Sequence, residues 1–510
     1  MKQYYLGIEF GSTRVKAVLI DGEHRIVKSG DYTWKSSLEN GVWTYHMEDV
    51  QTGLRTAIRN LGELPGAVSA MGISGMMHGY LAFDKDWNLL APFRTWQNTM
   101  TGEAAEQLTA EFGFNIPQRW SIAHLYQAVL NGEAHVKNIA HITTLAGYVH
   151  YLLTGENVLG VGEASGMFPI DSEALDYDAA MLEKFDALTA KYGFAWTARS
   201  VLPKVLTAGQ AAGALTQAGS TFLDGLLSAG IPFCPPEGDA GTGMTATNAV
   251  APRTGNVSAG TSIFAMVVLE KPLSKVYQEI DMVTTPSGKP VAMVHCNNCT
   301  NDMNAWVSLL GETAKLFGAE VSTGELFTKL YQKSLEGDAD CSGVLTYNYM
   351  AGEGITHLDE GRPMVVRKPE SSFTLANFLR SQLYATMSTL KLGMDILAEE
   401  HVAIDSLTGH GGLFKTPVVG QKYMAAACRA PVTCMESAGE GGPYGMALLA
   451  SYLVQKQDGQ TLEQYLETEI FADVKRTTLA PDPEDEAGFD RYLSWYRSAL
   501  AAENAAVKAF

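Results

Sequence analysis

The sequence predicts an α/β fold built from two large domains. Three observations carry this expectation. A chain of 510 residues is longer than one hydrophobic core organises. Apolar strands alternate with helices, and glycines fall at the strand ends. An unusual hairpin also occurs twice: "LGIEFGSTRVKAVLI" at Leu6–Ile20 and "GNVSAGTSIFAMVVLE" at Gly255–Glu270. Each copy reads strand, glycine with two hydroxyls, strand. The second begins near the middle of the chain, so the expected domains are 1–250 and 251–510, related by an internal duplication.

The elements follow in order. The strand pair Tyr4–Ile20 comes first, then a third strand near Arg25–Tyr32 and a helix over Asp49–Leu61. Ala67–Gly75 ("AVSAMGISG") is a buried strand broken by glycines, and Asp84–Asn88 is the tip of an exposed hairpin. Thr101–Thr154 is mainly helical and stops before Gly155. Pro232–Gly243 is rich in glycine and proline, and the connection from Gly238 to Gly255 reads as a flexible joint between the halves. In Ser372–Ala398, apolar residues at Leu375, Leu379, Leu383, Met387, Leu390, Met394 and Leu397 place one helix face in the core. "AIDSLTGHGG" is a strand with a glycine-rich break. "TPVVGQKYMAAACRAPV" is a helix and a strand start, and "ESAGEGGPYGMALLASYLV" is a second glycine-rich break before a helix.

Composition excludes several function classes. A net charge of −19 argues against sequence-blind nucleic-acid binding, which needs a basic face. No apolar run is long enough to span a membrane, and "MKQYYLGIEF" has no signal-peptide pattern. Six cysteines in this length do not form a disulfide framework, so a cytoplasmic protein is expected. "HCNNC" (His295–Cys299) has CxxC spacing, but Cys341, Cys428 and Cys434 supply no second pair for zinc. These cysteines read as small residues near a strand end.

The hairpin tips permit anion binding. Glycine lets a ligand approach the backbone and tolerates positive φ, successive N–H groups form an anion-binding concavity, and hydroxyls add donors. A single tip is an ordinary turn. Two tips could grip a polyphosphate through Gly11, Ser12 and Thr13 and through Gly260, Thr261 and Ser262, with Arg14 adding charge. No GxxxxGK[ST] and no GxGxxG after the first strand is present, so neither a P-loop nor a dinucleotide fold is expected. Glu9 is either a strand-end acid or a water-mediated Mg²⁺ ligand. Asp239, in "PPEGDAGTGM", is either a helix N-cap or the carboxylate that orients an alcohol during phosphoryl transfer.

The chain resembles the FGGY carbohydrate kinases, within the superfamily of actin, hexokinase and the heat-shock chaperone ATPases. "GIEFGSTRVKAVLID" resembles the family's first phosphate motif. "ISGMMHGYLAFD" is similar to the substrate segment of xylulose kinases, and "YLLTGENVLGVGEASGMFPID" to the Leu-Thr-Gly…Ala-Ser-Gly stretch. "EGDAGTG" stands at the catalytic motif, "GNVSAGTS" at the second phosphate motif, and "TGHGGLFKTP" at the adenosine motif of ribulose-kinase-like members. The resemblance implies two actin-like (ribonuclease H-like) domains with an ATP cleft between them. The first carries the sugar side, the first phosphate motif and the catalytic Asp; the second carries the other phosphate motif and the adenosine motif. It implies ATP and Mg²⁺ as cofactors, a small-molecule sugar as partner, and a ketopentose such as xylulose or ribulose as substrate. A homodimer is compatible with it. It assigns the base to Asp239, sugar contacts to Met77, His78 and Trp96, nucleotide contacts to both tips with Gly411, Gly412 and Lys415, and metal contacts to Glu9 and Asp239. Glu9 replaces the family's usual Asp, and Asn98 and Met100 in "TWQNTMT" replace an acid and an arginine. The rival expectation is a relative that binds sugar or nucleotide without turnover.

Overall fold

The computed structural model describes residues 3–435 and 441–509. Packing divides the chain into two compact units, Met1–Pro252 with Val268–Ala292 and Glu440–Asp473, and Arg253–Val267 with Met293–Gly439 and Val474–Phe510. The expected spans differ from these chiefly by the segments 268–292 and 440–473.

The first unit is built on a sheet of β1 (Tyr4–Phe10), β2 (Arg14–Asp21), β3 (Ile26–Thr33), β4 (Val68–Gly75) and β5 (Glu237–Gly238), in the order β5-β4-β1-β2-β3. β1 pairs antiparallel with β2 and parallel with β4, and β4 pairs parallel with β5. Side chains alternate across a strand. Tyr4, Leu6, Ile8 and Phe10 therefore share one core with Val50, Leu54, Ala57 and Ile58 of the helix Met47–Arg59. Gly7 and Glu9 point to the opposite face, where the helix Gly441–Gln455 lies. A Cβ on Gly7 would run into the Pro443 carbonyl, so only glycine permits this approach. That helix is buried from Gly442 to Tyr452. The part of the expected glycine-rich break at residues 436–440 lies outside the described residues.

The register Phe10↔Gly75 and Gly75↔Gly238 brings three strand ends to one edge. Gly11, Met76 and Asp239 leave the sheet there, at the carboxyl ends of parallel strands, where open α/β sheets bind ligands.

The second unit contains β6 (Thr254–Ala259), β7 (Ile263–Val268), β8 (Ser406–Gly411), β9 (Val432–Met435) and β10 (Arg476–Leu479), in the order β7-β6-β8-β9-β10. β6 and β7 are antiparallel, whereas β8 runs parallel to β6 and β9 parallel to β8. This hairpin followed by two parallel neighbours repeats the β2-β1-β4-β5 arrangement of the first unit.

Two expectations change. The supposed joint after Gly238 begins as a helix, Asp239–Ala246, packed inside the first unit; its Gly445 neighbour has no room for a Cβ against the Thr242 carbonyl. The helix Leu375–Glu399 buries more than one face. Arg380, Ser381, Gln382, Thr386, Ser388 and Thr389 are buried with the leucines, while Leu375 is exposed. The helix is packed on several sides, and Arg380 finds partners there: it pairs with Asp485 and donates to the Tyr384 hydroxyl.

Candidate active site

In the first unit the tip Gly11–Thr13 is closed by the Gly11 N–H donating to the Arg14 carbonyl at 2.9 Å. Aromatic side chains hold it from outside. The Trp34 indole donates to the Gly11 carbonyl at 2.7 Å and the Tyr45 hydroxyl to the Ser12 carbonyl at 2.6 Å. With the carbonyls engaged behind it, the tip presents its amide side. The φ of Gly11 is not positive, so the turn does not need glycine for conformation. Arg14 stands at the exposed start of β2 and pairs with Asp31 at 3.2 Å on the strand surface.

Asp239 is the first residue of its helix, and Gly238 is the cap. The plain capping alternative therefore does not describe it. Its Oδ1 accepts from the Met77 N–H at 3.1 Å and from the Ala240 N–H at 3.0 Å. The side chain keeps open surface, yet the protein crowding it raises its pKa, against the pull of those N–H donors. An acid that is held by one oxygen, open to solvent and of raised basicity suits a general base.

Met77 is buried, and its backbone is the part that touches Asp239. His78 follows with φ 72° and Gly79 with φ 93°. A non-glycine residue in that region is strained by about 1–3 kcal/mol. The ring is locked in return: Nδ1 bonds the Gly166 carbonyl at 3.1 Å, and Trp120 stacks on it with centroids 6.1 Å apart. Trp96 is 39% exposed and donates to the Ser12 hydroxyl at 3.3 Å, so it reaches the tip. Asn98 is taken up by the protein's own backbone. It is buried, accepts from the Trp43 N–H and donates to the Trp43 and Thr95 carbonyls, pinning the loop that carries Trp96. Met100 is exposed.

Glu9 lies on the β1 face that meets Gly442. Its Oε2 is buried without a hydrogen-bond partner, at the place a Cβ on Gly442 would occupy. Burial pushes its pKa up to about 8; the charge of Asp239 adds to this and Lys16 opposes it. Two mutually repelling carboxylates, one with an unpartnered oxygen, fit a hard cation. Among the described residues no group of three or more His, Cys, Asp or Glu could hold a metal, so an ion at Glu9 and Asp239 would keep most of its water, as Mg²⁺ does.

In the second unit the tip Gly260–Ser262 is closed by the Gly260 N–H donating to the Ser262 carbonyl at 2.9 Å. The Gly260 carbonyl accepts from the Thr300 hydroxyl at 2.7 Å and the Thr261 carbonyl from the Cys299 N–H at 3.0 Å. Gly260 has open space where a Cβ would stand. The register Ala259↔Gly411 sets the glycine pair beside this tip. Gly411 requires glycine, having φ 99° and backbone of Ala259 against its Cβ position; Gly412 is open apart from that carbonyl at 3.9 Å. Lys415 follows on the surface. Cys296 and Cys299 are buried free thiols, and burial raises both pKa values.

Sequence reasoning missed Trp34, Tyr45 and Trp120, whose single aromatic positions carry no periodic signal. It also passed over Glu163 and Glu237, both fully buried. An acid beside prolines in "PPEGD" was the available signal.

The family description "FGGY family of carbohydrate kinases, N-terminal domain" matches residues 4–245, and its C-terminal counterpart matches 255–454. A xylulose kinase of Haemophilus influenzae is 22% identical, covering 96% of this chain and 99% of its own. A glycerol kinase of Thermococcus kodakarensis is 27% identical over 53% of this chain and 54% of its own. The crystal structure of a gluconate kinase from Lactobacillus acidophilus matches with a TM-score of 0.80 at 17% identity, covering 98% of each chain.

Proposed function

This chain belongs to the FGGY family of carbohydrate kinases, and from that premise we propose that it transfers the γ-phosphoryl group of ATP to a hydroxyl of an uncharged sugar. A ketopentose such as xylulose or ribulose is the first candidate; another ketose or a polyol is the alternative. The observation that carries the reading is the open Asp239 carboxylate, anchored by the Met77 N–H, with His78 and Trp96 placed around the same strand ends.

Asp239 orients the acceptor hydroxyl and takes its proton as the new P–O bond forms. His78 and the Trp96 ring hold the sugar. The amide sides of Gly11–Thr13 and Gly260–Ser262 take phosphate oxygens, and Gly411, Gly412 and Lys415 take the nucleoside end. Mg²⁺, when bound through Glu9 and Asp239, neutralises phosphate charge.

Charge supports a neutral acceptor. Burial raises the pKa of Glu9, Glu163 and Glu237, so these acids lean toward their neutral forms and offer a charged acceptor no counter-charge. The nearby cations Arg94 and Arg119 are engaged by Glu133 and Asp281. An aldonate carboxylate would meet the Asp239 carboxylate with both of these arginines already paired.

The test is coupled measurement of ADP release over xylulose, ribulose, hexuloses, glycerol, longer polyols and gluconate. Turnover confined to a neutral ketose or polyol is expected. Preference for gluconate would overturn the neutral-acceptor reading, and no turnover with any compound would favour a binding protein instead.

A further inference from the structure

Asp239 and His78 come from distant segments, and a third segment joins them. The turn 160–166, "GVGEASG", touches His78 and the strand β5 that leads into Asp239. The Gly166 carbonyl bonds His78 Nδ1, and a Cβ on Gly166 would press on that ring. At its other end the turn is interlocked with β5. Glu237, two residues before Asp239, sends its carboxyl into the turn, where Oε2 accepts from the Glu163 N–H at 2.9 Å. The same carboxyl fills the Cβ positions of Gly160 and Gly162. Glu163 sends its own carboxyl back to β5 and fills the Cβ position of Gly238, the residue that caps the catalytic helix. Each acid thus occupies space that the other segment leaves by having glycine. Both are fully buried, and both Glu163 oxygens and the Glu237 Oε1 lack hydrogen-bond partners.

Burying carboxyls this way costs free energy. Apolar side chains of similar volume would fill the space more cheaply, so stability alone does not account for them. What the pair supplies is registration. It ties the residue before Asp239 to the turn that carries the His78 acceptor, and Ser165 secures the turn by donating to the Gly162 carbonyl and accepting from the Thr284 N–H.

We propose that Glu237, with Glu163, is a positioning residue for phosphoryl transfer: it holds the turn 160–166 against β5 and thereby fixes the base relative to the sugar-holding histidine. This rests on Asp239 and His78 having the roles given above.

The experiment compares Glu237→Leu, which keeps volume but removes the acceptor, with Glu237→Gln, which keeps both. The substrate is the panel sugar with the highest turnover. A misplacement of about 1 Å costs up to roughly 10²-fold in rate, so Glu237→Leu is expected to lower kcat by about 10- to 100-fold and to raise the sugar KM. The ATP KM should stay within about twofold, since uniform loosening would move both substrates. Glu237→Gln is expected to restore kcat to within about threefold of wild type. A folded Glu237→Leu with wild-type kcat overturns the proposal, as does equal loss in the Gln and Leu variants. If Glu237→Leu does not fold, Ser165→Ala loosens the same turn more gently. It should then lower kcat by about three- to tenfold at constant ATP KM, and unchanged kcat overturns the proposal. Asp239→Asn, measured alongside, separates the premises: its retaining wild-type turnover removes the base assignment whatever Glu237 does.

Discussion

The two hairpin tips share a sequence pattern and differ in everything that supports them. In the first, the ladder ends at Phe10↔Val15; in the second it ends at Ala259↔Ile263. The first loop is therefore one residue longer, 11–14 against 260–262. Trp34 and Tyr45 brace the first from behind, whereas the hydroxyl of Thr300 and the N–H of Cys299 brace the second. Acids lie beside the first, with Glu9 near the end of β1 and Asp239 at the end of β5, one strand away. The second adjoins the solvent-exposed glycines 411 and 412 and the exposed Lys415. On the proposed reading the difference teaches a division of labour: the same hairpin serves chemistry in one unit and nucleotide holding in the other, according to its neighbours.

Removing the base should separate the two most strongly. Asp239→Asn still accepts from the Met77 N–H, so the strand ends stay in place. It cannot take the proton, and sugar-dependent kcat should fall by about 10²–10⁴-fold with the ATP KM nearly unchanged. Steady-state kinetics decide this, and a wild-type rate would leave the first tip without a chemical role.

A smaller effect is expected at the second tip. Gly412→Val places a side chain in open space without backbone strain, so the fold should survive while the ATP KM rises by about tenfold, equivalent to about 1.4 kcal/mol. The sugar KM should not change. Gly411→Val is unsuitable for this test because its φ and the Ala259 backbone forbid a side chain. Equal ATP KM for Gly412→Val and wild type would detach the glycine pair from the nucleotide.

The smallest effect concerns pH. Glu353 is buried and accepts from the Asn297 and Asn298 N–H groups just before the Cys299–Thr300 brace. Burial pushes its pKa from 4.5 up to about 7, against those hydrogen bonds. A carboxyl raised on folding stabilises fully below its unfolded pKa and loses that contribution as pH rises through the folded value. Stability should therefore fall between about pH 4.5 and 7, by at most about 1.4 kcal/mol per pH unit, and Glu353→Gln should flatten this slope. Denaturant titrations of both proteins across that range measure it; parallel slopes would show that the second brace does not titrate. Trp34 and Tyr45 offer the first tip no group that titrates in this window.

Much of the fold was legible because it is written in local pattern. The apolar runs of β1 and β4, the hydroxyl-bearing tips and Gly155 ending its helix need only neighbouring residues to be understood. Asp239 was legible as a residue of interest, since an acid between glycines after a buried strand is unusual. Its attachment was not, because the Met77 N–H comes from 162 residues away in sequence.

The sequence by itself determined the α/β class, the repeated hairpin and the identity of the open carboxylate, because strand alternation and turn chemistry act over a few residues. Only the tertiary structure decided that Arg14 pairs with Asp31, that Asn98 pins a loop, and that Glu163 and Glu237 interlock beside the strand end that carries Asp239. Those outcomes depend on which distant segments share space. A glycine's missing side chain can be read from sequence, but the carboxyl that fills its place belongs to another strand and becomes visible only when the chain is packed.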